Sequence, residues 1–262
     1  MYPILFQFGP ITLYTYGAAM ALAFLTTVGL AAHATRHQLK AAVPIAPSLV
    51  VDWGCWTMVG GVLGGRLLYV LLNWQLYAVR PVELLALWHG GLVWYGGFLG
   101  GLLAQTLFFA RRRIPLLAGT DQIIPFVALG HAIGRLGCFA NGCCYGKPTE
   151  AWYGVWDAAR RQMVAPTQLL EAAGLVALYV FLRSRQRPAV LRQPGALFGR
   201  YLIGYGALRW LLEWWRADQP LVWGGWTVFQ LLSVAAMTAG AALIFRTKLV
   251  SNTTDISRSA RQ

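Results

Sequence analysis

The sequence predicts an all-α, polytopic membrane protein with about seven transmembrane helices and a small periplasmic head. Three observations carry that expectation. Hydrophobic residues make up 57% of the 262 and charged residues only 12%, a balance too apolar for a soluble domain. Several apolar runs reach about 20 residues, the length a helix needs to cross a bilayer. The basic residues also gather in alternate connections, as the positive-inside rule requires. A net charge of +13 would suggest nucleic acid for a soluble chain. Here the Arg and Lys residues read as topology determinants, and no nucleic-acid partner is expected.

Taken in order, the spans fall near residues 13–32, 50–72, 90–110, 122–139, 168–182, 196–215 and 226–245. The start, Met1-Tyr2-Pro3, has no basic n-region and no A-x-A-like cleavage site, so the first span is expected to be retained rather than removed as a signal peptide. Arg36 and Lys40 follow the first span, Arg111, Arg112 and Arg113 the third, Arg183, Arg185, Arg187 and Arg192 the fifth, and Arg246, Lys248, Arg258 and Arg261 the last. The other side carries only Arg80, Lys147, Arg160, Arg161 and Arg216. This asymmetry predicts a periplasmic amino terminus and a cytoplasmic carboxyl terminus.

Residues 74–88 are amphipathic and are expected to lie along the outer surface. Residues 147–166 form the longest outer connection and supply the head. Residues 1–250 make one transmembrane domain, and the polar tail 251–262 is expected to be disordered. Two echoes, GGVLGG at 60–65 and GGFLGG at 96–101, occupy consecutive spans. Small residues at this spacing let helix backbones approach closely; bare backbone could equally shape a cavity for lipid chains.

Arg200, at the start of the sixth span, counts with the cytoplasmic side; otherwise only Arg66, Arg135 and Arg209 fall inside spans. An arginine at mid-helix costs at least about 2.5–3.5 kcal/mol in a bilayer, so it is kept for a partner or a ligand. Spacing of four and three puts Arg209, Glu213 and Arg216 on one helical face. Glu171 opens the fifth span near the outer boundary, and Arg135 ends the fourth on the same side. Arg66 sits in the second span one turn before Tyr69. One reading is an ion-pair network that joins helices. The excess of cation over carboxylate favours an anionic ligand, and the planar guanidinium fork suits a phosphate. A phospholipid phosphodiester is the anion found at that depth.

GRLGCFANGCCYG, residues 134–146, closely resembles the motif G-R-x-G-N-F-x-N-G-E-x-x-G of the bacterial prolipoprotein diacylglyceryl transferase family. The glycines through Gly146, Arg135, Phe139 and Asn141 fall in register, while Cys138 and Cys143 replace Asn and Glu. The likeness extends through GPITLYTYG with Tyr16, GGRLLYV with Arg66, HGGLVWYGGFLGG with Tyr95, TDQIIPFVALGHAIGR with Asp121, APTQLLE with Glu171, and YGALRWLLEWWR with Arg209, Glu213 and Arg216. Seven fragments occur in the family's order.

The resemblance implies an enzyme of the bacterial inner membrane, acting as a monomer without metal or organic cofactor. It would move the diacylglyceryl group of phosphatidylglycerol to the lipobox cysteine in a preprolipoprotein signal peptide, releasing glycerol phosphate. Arg135 and Arg209 would grip the phosphate and steady its growing charge, with Tyr95 and Glu213 as catalytic partners. Tyr16, Asn141, Gly146 and Arg66 would bind the lipid head, while Asp121, Arg216 and Glu171 would orient the cations. Tyr95 stands where the family often has His, and a phenol of pKa about 10 is a poorer base than an imidazole of about 6.5. His131, one turn before Arg135, could supply an imidazole or serve only as a core residue.

Cys138, Cys143 and Cys144 cluster at the outer end of the fourth span, with Cys55 apart in the second. C-x4-C-C without a His pair is a weak zinc pattern. A disulfide from Cys138 to Cys143 or Cys144 suits an oxidising compartment; buried free thiols are the other reading. Other functions open to the same residues are an anionic-lipid or small-anion transporter and, from the cysteine turn, a membrane thiol oxidoreductase.

Overall fold

Helices build most of the described residues. The computed structural model describes residues 4–9, 11–36, 43–79, 81–86, 90–217 and 221–259. Seven of the described helices have 18 residues or more: α1 (Thr15–Thr35), α2 (Pro47–Leu72), α4 (Trp94–Arg111), α5 (Leu116–Asn141), α6 (Thr167–Arg185), α8 (Ala196–Glu213) and α9 (Val228–Ser259). Four stretches, in α1, α2, α5 and Val228–Leu249 of α9, are long and apolar enough to cross a membrane. The other three long helices fall short of that mark; α8, which follows the short α7 (Pro188–Leu191), holds Arg200, Arg209 and Glu213. α9 runs on to Ser259, into the segment expected to be a disordered tail.

The expected surface segment breaks into two short pieces, α3 (Trp74–Val79) and a 3-10 turn at Pro81–Leu85, both too short to span. Lys40, Arg80, Arg261 and the Trp88 end of that segment lie outside the described residues. Three hairpins accompany the helices: β1 (Ile4–Phe8) with β2 (Ile11–Tyr14), β3 (Val155–Asp157) with β4 (Gln162–Val164), and β5 (Leu221–Trp223) with β6 (Trp226–Thr227). The β3–β4 hairpin falls within residues 147–166, the segment expected to supply the head. Its base is tied to the bundle where Lys147 N donates to Trp215 O at 2.7 Å and Gly146 N to Ala165 O at 3.0 Å.

Helix pairing follows the small residues. α2 packs on α4, α1 on α5, α5 on α6 and α8 on α9. The two glycine echoes meet face to face: a methyl group on Gly60 would lie 2.8 Å from Gly100 O, and one on Gly64 would lie 2.8 Å from Gly100 Cα. These glycines therefore serve backbone contact between α2 and α4. One apolar core joins Ala31, Val50, Trp53, Phe108, Phe109 and Phe126 at the end of the bundle bearing Arg111 and Arg112. Outward leucines such as Leu25, Leu63, Leu67 and Leu103 stay exposed, as suits a chain whose solvent is lipid.

Polar groups are buried along one line through α5. Pro125 lies inside that helix and cannot donate to the carbonyl four residues back. Gln186 covers the gap, with Nε2 donating to Gln122 O at 2.9 Å and to Asp121 O at 3.4 Å. The Asp121 carboxylate accepts from Gly195 N at 2.8 Å and Phe198 N at 2.7 Å. It thus satisfies free amides at the start of α8, where the helix dipole also favours an anion.

Candidate functional site

The opposite end of α5 gathers charge instead of apolar side chains. Arg135 Nη2 meets Glu171 Oε1 of α6 at 3.0 Å, with the two side chains 16% and 2% exposed. The Tyr205 hydroxyl of α8 donates to the same oxygen at 3.2 Å. One turn further along α8, Arg209 Nη2 meets Glu213 Oε2 at 2.8 Å. Glu213 Oε1 accepts from the Thr227 hydroxyl at 2.7 Å, and Arg216 Nε lies 4.0 Å from Oε2. The Arg209 guanidinium also stands 4.8 Å over the Phe229 ring. α5, α6, α8 and α9 thereby converge on one buried cluster of three guanidinium groups and two carboxylates.

The cations are not fully occupied. Arg135 Nε and Arg209 Nη1 are buried and have no hydrogen-bond partner among the described residues. A buried donor left unmade costs about 1–3 kcal/mol, and more when charged. The cluster keeps one net positive charge and two unused donor nitrogens, which suits it to hold an anion.

Several predicted residues sit elsewhere. Arg66 is no lipid-head ligand: its Nε donates to Leu84 O at 3.0 Å and its Nη1 to Gly90 O at 2.7 Å and Gly91 O at 3.2 Å. Its Nη2 serves Glu83 O and Ala86 O. Every guanidinium nitrogen is spent on main-chain carbonyls, and the charge also faces the rings of Tyr69 and Tyr77 at 5.8 and 5.3 Å. Asp121 does not orient Arg135, since fourteen residues of helix separate them by about 21 Å and its oxygens are taken by α8 amides. Gly146 gives its amide to Ala165 O, and a methyl group there would sit 2.5 Å from the same oxygen, so it serves a close backbone crossing. Arg216 lies beyond the end of α8, not on its face, yet still reaches Glu213.

Tyr16 remains beside the cluster: a methyl group on Gly137 would touch its ring at 3.6 Å. Asn141 is the exposed last residue of α5. Tyr95 is exposed in the first turn of α4, with its ring edge-on to Trp94 at 5.2 Å. The structure adds Tyr205, whose signal in the sequence was its place four residues before Arg209. It also adds Tyr201, stacked on Tyr205 at 5.8 Å, and it puts the ring of His131, already a candidate from the sequence, against Tyr205 at 5.1 Å. Cys55, Cys138, Cys143 and Cys144 are free thiols.

Fold and site together define a helical membrane protein with a partly unsatisfied arginine pair between its helices. The family described as prolipoprotein diacylglyceryl transferase matches residues 3–246. A phosphatidylglycerol–prolipoprotein diacylglyceryl transferase of Synechococcus elongatus is 34% identical, over 98% of this chain and 92% of its own length. Proteins of the same name from Parasynechococcus marenigrum and Gluconacetobacter diazotrophicus are 35% and 33% identical, over 91% and 92% of this chain and 91% and 89% of theirs. The chain belongs to the prolipoprotein diacylglyceryl transferase family.

Proposed function

We propose that this chain transfers the diacylglyceryl group of phosphatidylglycerol to the cysteine thiol of a prolipoprotein lipobox. The observation that carries the reading is the arginine pair, each member fixed by one carboxylate with one buried donor left over. Those donors, Arg135 Nε and Arg209 Nη1, take oxygens of the lipid phosphodiester. The substrate sulfur attacks the glyceryl carbon, a C–S bond forms, and the C–O bond to the phosphate breaks. The electron pair leaves on glycerol phosphate, where the two guanidinium groups stabilise it, and the thiol proton passes to solvent. Their field also favours the thiolate form of the incoming cysteine.

Glu171 and Glu213 aim the two cations, with Arg216 behind Glu213. Tyr16, Tyr95 and Asn141 donate hydrogen bonds to the lipid head from the rim. Seven spans place the amino terminus and the head 147–166 in the periplasm and the carboxyl terminus in the cytoplasm of a bacterial inner membrane, as one domain acting as a monomer. Family membership favours this reading over a transporter built on the same arginines.

The test is transfer in detergent, from phosphatidylglycerol to a synthetic lipobox peptide. A mass gain of one diacylglyceryl group, confined to the cysteine and absent from a thiol-blocked peptide, is the expected result. Folded enzyme that leaves the peptide unchanged would overturn the reading.

A further inference from the structure

Three of the chain's four thiols meet at one point. The sulfur atoms of Cys138, Cys143 and Cys144 all lie within 4.8 Å of one another. Thiolates bound tetrahedrally at about 2.3 Å stand roughly 3.8 Å apart, so a small closing movement brings the trio to coordination distance.

The turn that carries them is held from outside. Gly142 leaves α5 in the left-handed region at φ 74°, and Cys144 follows with φ 60°, which is uncommon for a residue with a side chain. Gln168 Nε2 donates to Cys143 O at 2.7 Å and the Thr167 hydroxyl to Cys144 O at 3.0 Å. Both donors come from the first turn of α6 and are almost wholly buried. Carbonyls of the adjacent cysteines are thus fixed by a second helix, much as outer partners fix the ligands of a metal. Cys143 Sγ lies 3.6 Å from Cys138 O and is in side-chain hydrogen-bonding contact with Cys138, Cys144 and Asn141, so the sulfurs already face one another.

Charge around the trio is favourable. Three thiolates on a divalent ion carry one net negative charge. Arg135 precedes Cys138 by one turn of α5, and Arg216 is bridged through its backbone to Gly146, two residues past Cys144.

We propose that Cys138, Cys143 and Cys144 form a binding site for a thiophilic metal ion of the zinc type, with three thiolate ligands and one open position. Thiolates select soft or borderline ions such as Zn2+ and Cd2+, and the fourth position of the tetrahedron is left to water or an incoming thiol. Binding releases the three thiol protons to solvent and involves no electron transfer. Oxidation of any two of these cysteines would consume the site.

The full chain, reduced and kept anaerobic in detergent, is titrated with Cd2+. The expected result is an ultraviolet thiolate-to-metal band that saturates at one equivalent, with a rise in melting temperature. The band is expected to vanish in Cys143→Ser and in Cys144→Ser and to persist in Cys55→Ser. Alkylation of the unaltered chain gives a readout free of folding effects: with Zn2+ present, three thiols are protected and Cys55 alone reacts. Equal labelling of all four thiols with and without Zn2+, a band that survives Cys143→Ser, or a disulfide within the trio trapped in native membranes would each overturn the site.

Discussion

Arg66 and Arg209 are buried and Arg135 is largely so, all in apolar helices, yet their surroundings assign them opposite tasks. Arg66 spends its guanidinium on five carbonyls of the connection between α2 and α4. The pair is gripped by carboxylates on one side and keeps Arg135 Nε and Arg209 Nη1 unused. A buried cation is therefore not evidence of a ligand site by itself. The donors left after the protein's own acceptors are counted decide the matter.

The largest expected effect breaks the pair. Arg135→Lys and Arg209→Lys keep the charge but lose the fork, and removing one donor aimed at developing charge costs about 10²–10³-fold in rate. Transfer from phosphatidylglycerol is measured beside the melting temperature of each sample. Lysine variants with near-normal turnover would end the bidentate account, and variants that do not fold would assign the pair to helix joining.

Arg66 should behave in the reverse manner. Arg66→Met strands several carbonyls that now accept from a charged donor, each worth roughly 1.5–3 kcal/mol, so a loss of about 3 kcal/mol or more in stability is expected. Turnover per folded molecule should fall far less than for Arg135→Lys. If Arg66→Met folds normally but loses lipid affinity, the contrast between the two regions fails.

Much of this was legible in the sequence, for reasons that differ by region. Long helices follow from apolar run length: α1, α2, α4, α6 and α8 keep close to the expected bounds, while α5 begins earlier, at Leu116, and α9 runs on to Ser259. Spacing along α8 put Arg209 and Glu213 together because i and i+4 share a face. Long-range partners were not legible. Nothing local says that Asp121 caps α8 or that Arg66 is held by carbonyls of 83–86 and 90–91, since both depend on where distant backbone passes. Tyr205 was overlooked because a tyrosine in an aromatic-rich helix looks like an interfacial residue until Glu171 arrives beside it. The β1–β2 hairpin was missed because Gly9-Pro10 lies within an apolar stretch that reads as the approach to the first span.

A smaller effect tests the reassignment of Asp121. Losing a helix-capping carboxylate costs about 0.5–2 kcal/mol, and this one serves two amides while fully buried. Asp121→Ala should lower stability by about 2 kcal/mol without changing turnover per folded molecule. A specific loss of turnover, with stability intact, would restore it as a partner of the distant arginines.

The least effect is expected at the head, where pH replaces mutation as the probe. Asp157 Oδ1 accepts from Ala159 N at 3.0 Å and Arg160 N at 3.3 Å, and Oδ2 meets Arg160 Nη1 at 2.6 Å. Burial alone would raise this carboxyl's pKa, but the Arg160 side chain and the two amides outweigh it and hold the group below its ordinary value. The folded hairpin therefore binds the proton less readily than the unfolded chain does. Its stabilisation is fully present above the unfolded pKa of about 3.9 and is lost as pH falls through the lower folded value. Hydrogen exchange at Ala159 and Arg160, corrected for intrinsic rates, should show protection that is flat near neutrality and collapses in acid below about pH 4. Asp157→Asn should remove that acid step and lower protection at neutral pH. Protection that persists unchanged into strong acid would mean that β3 and β4, with their tie to Trp215, hold the head without the carboxylate.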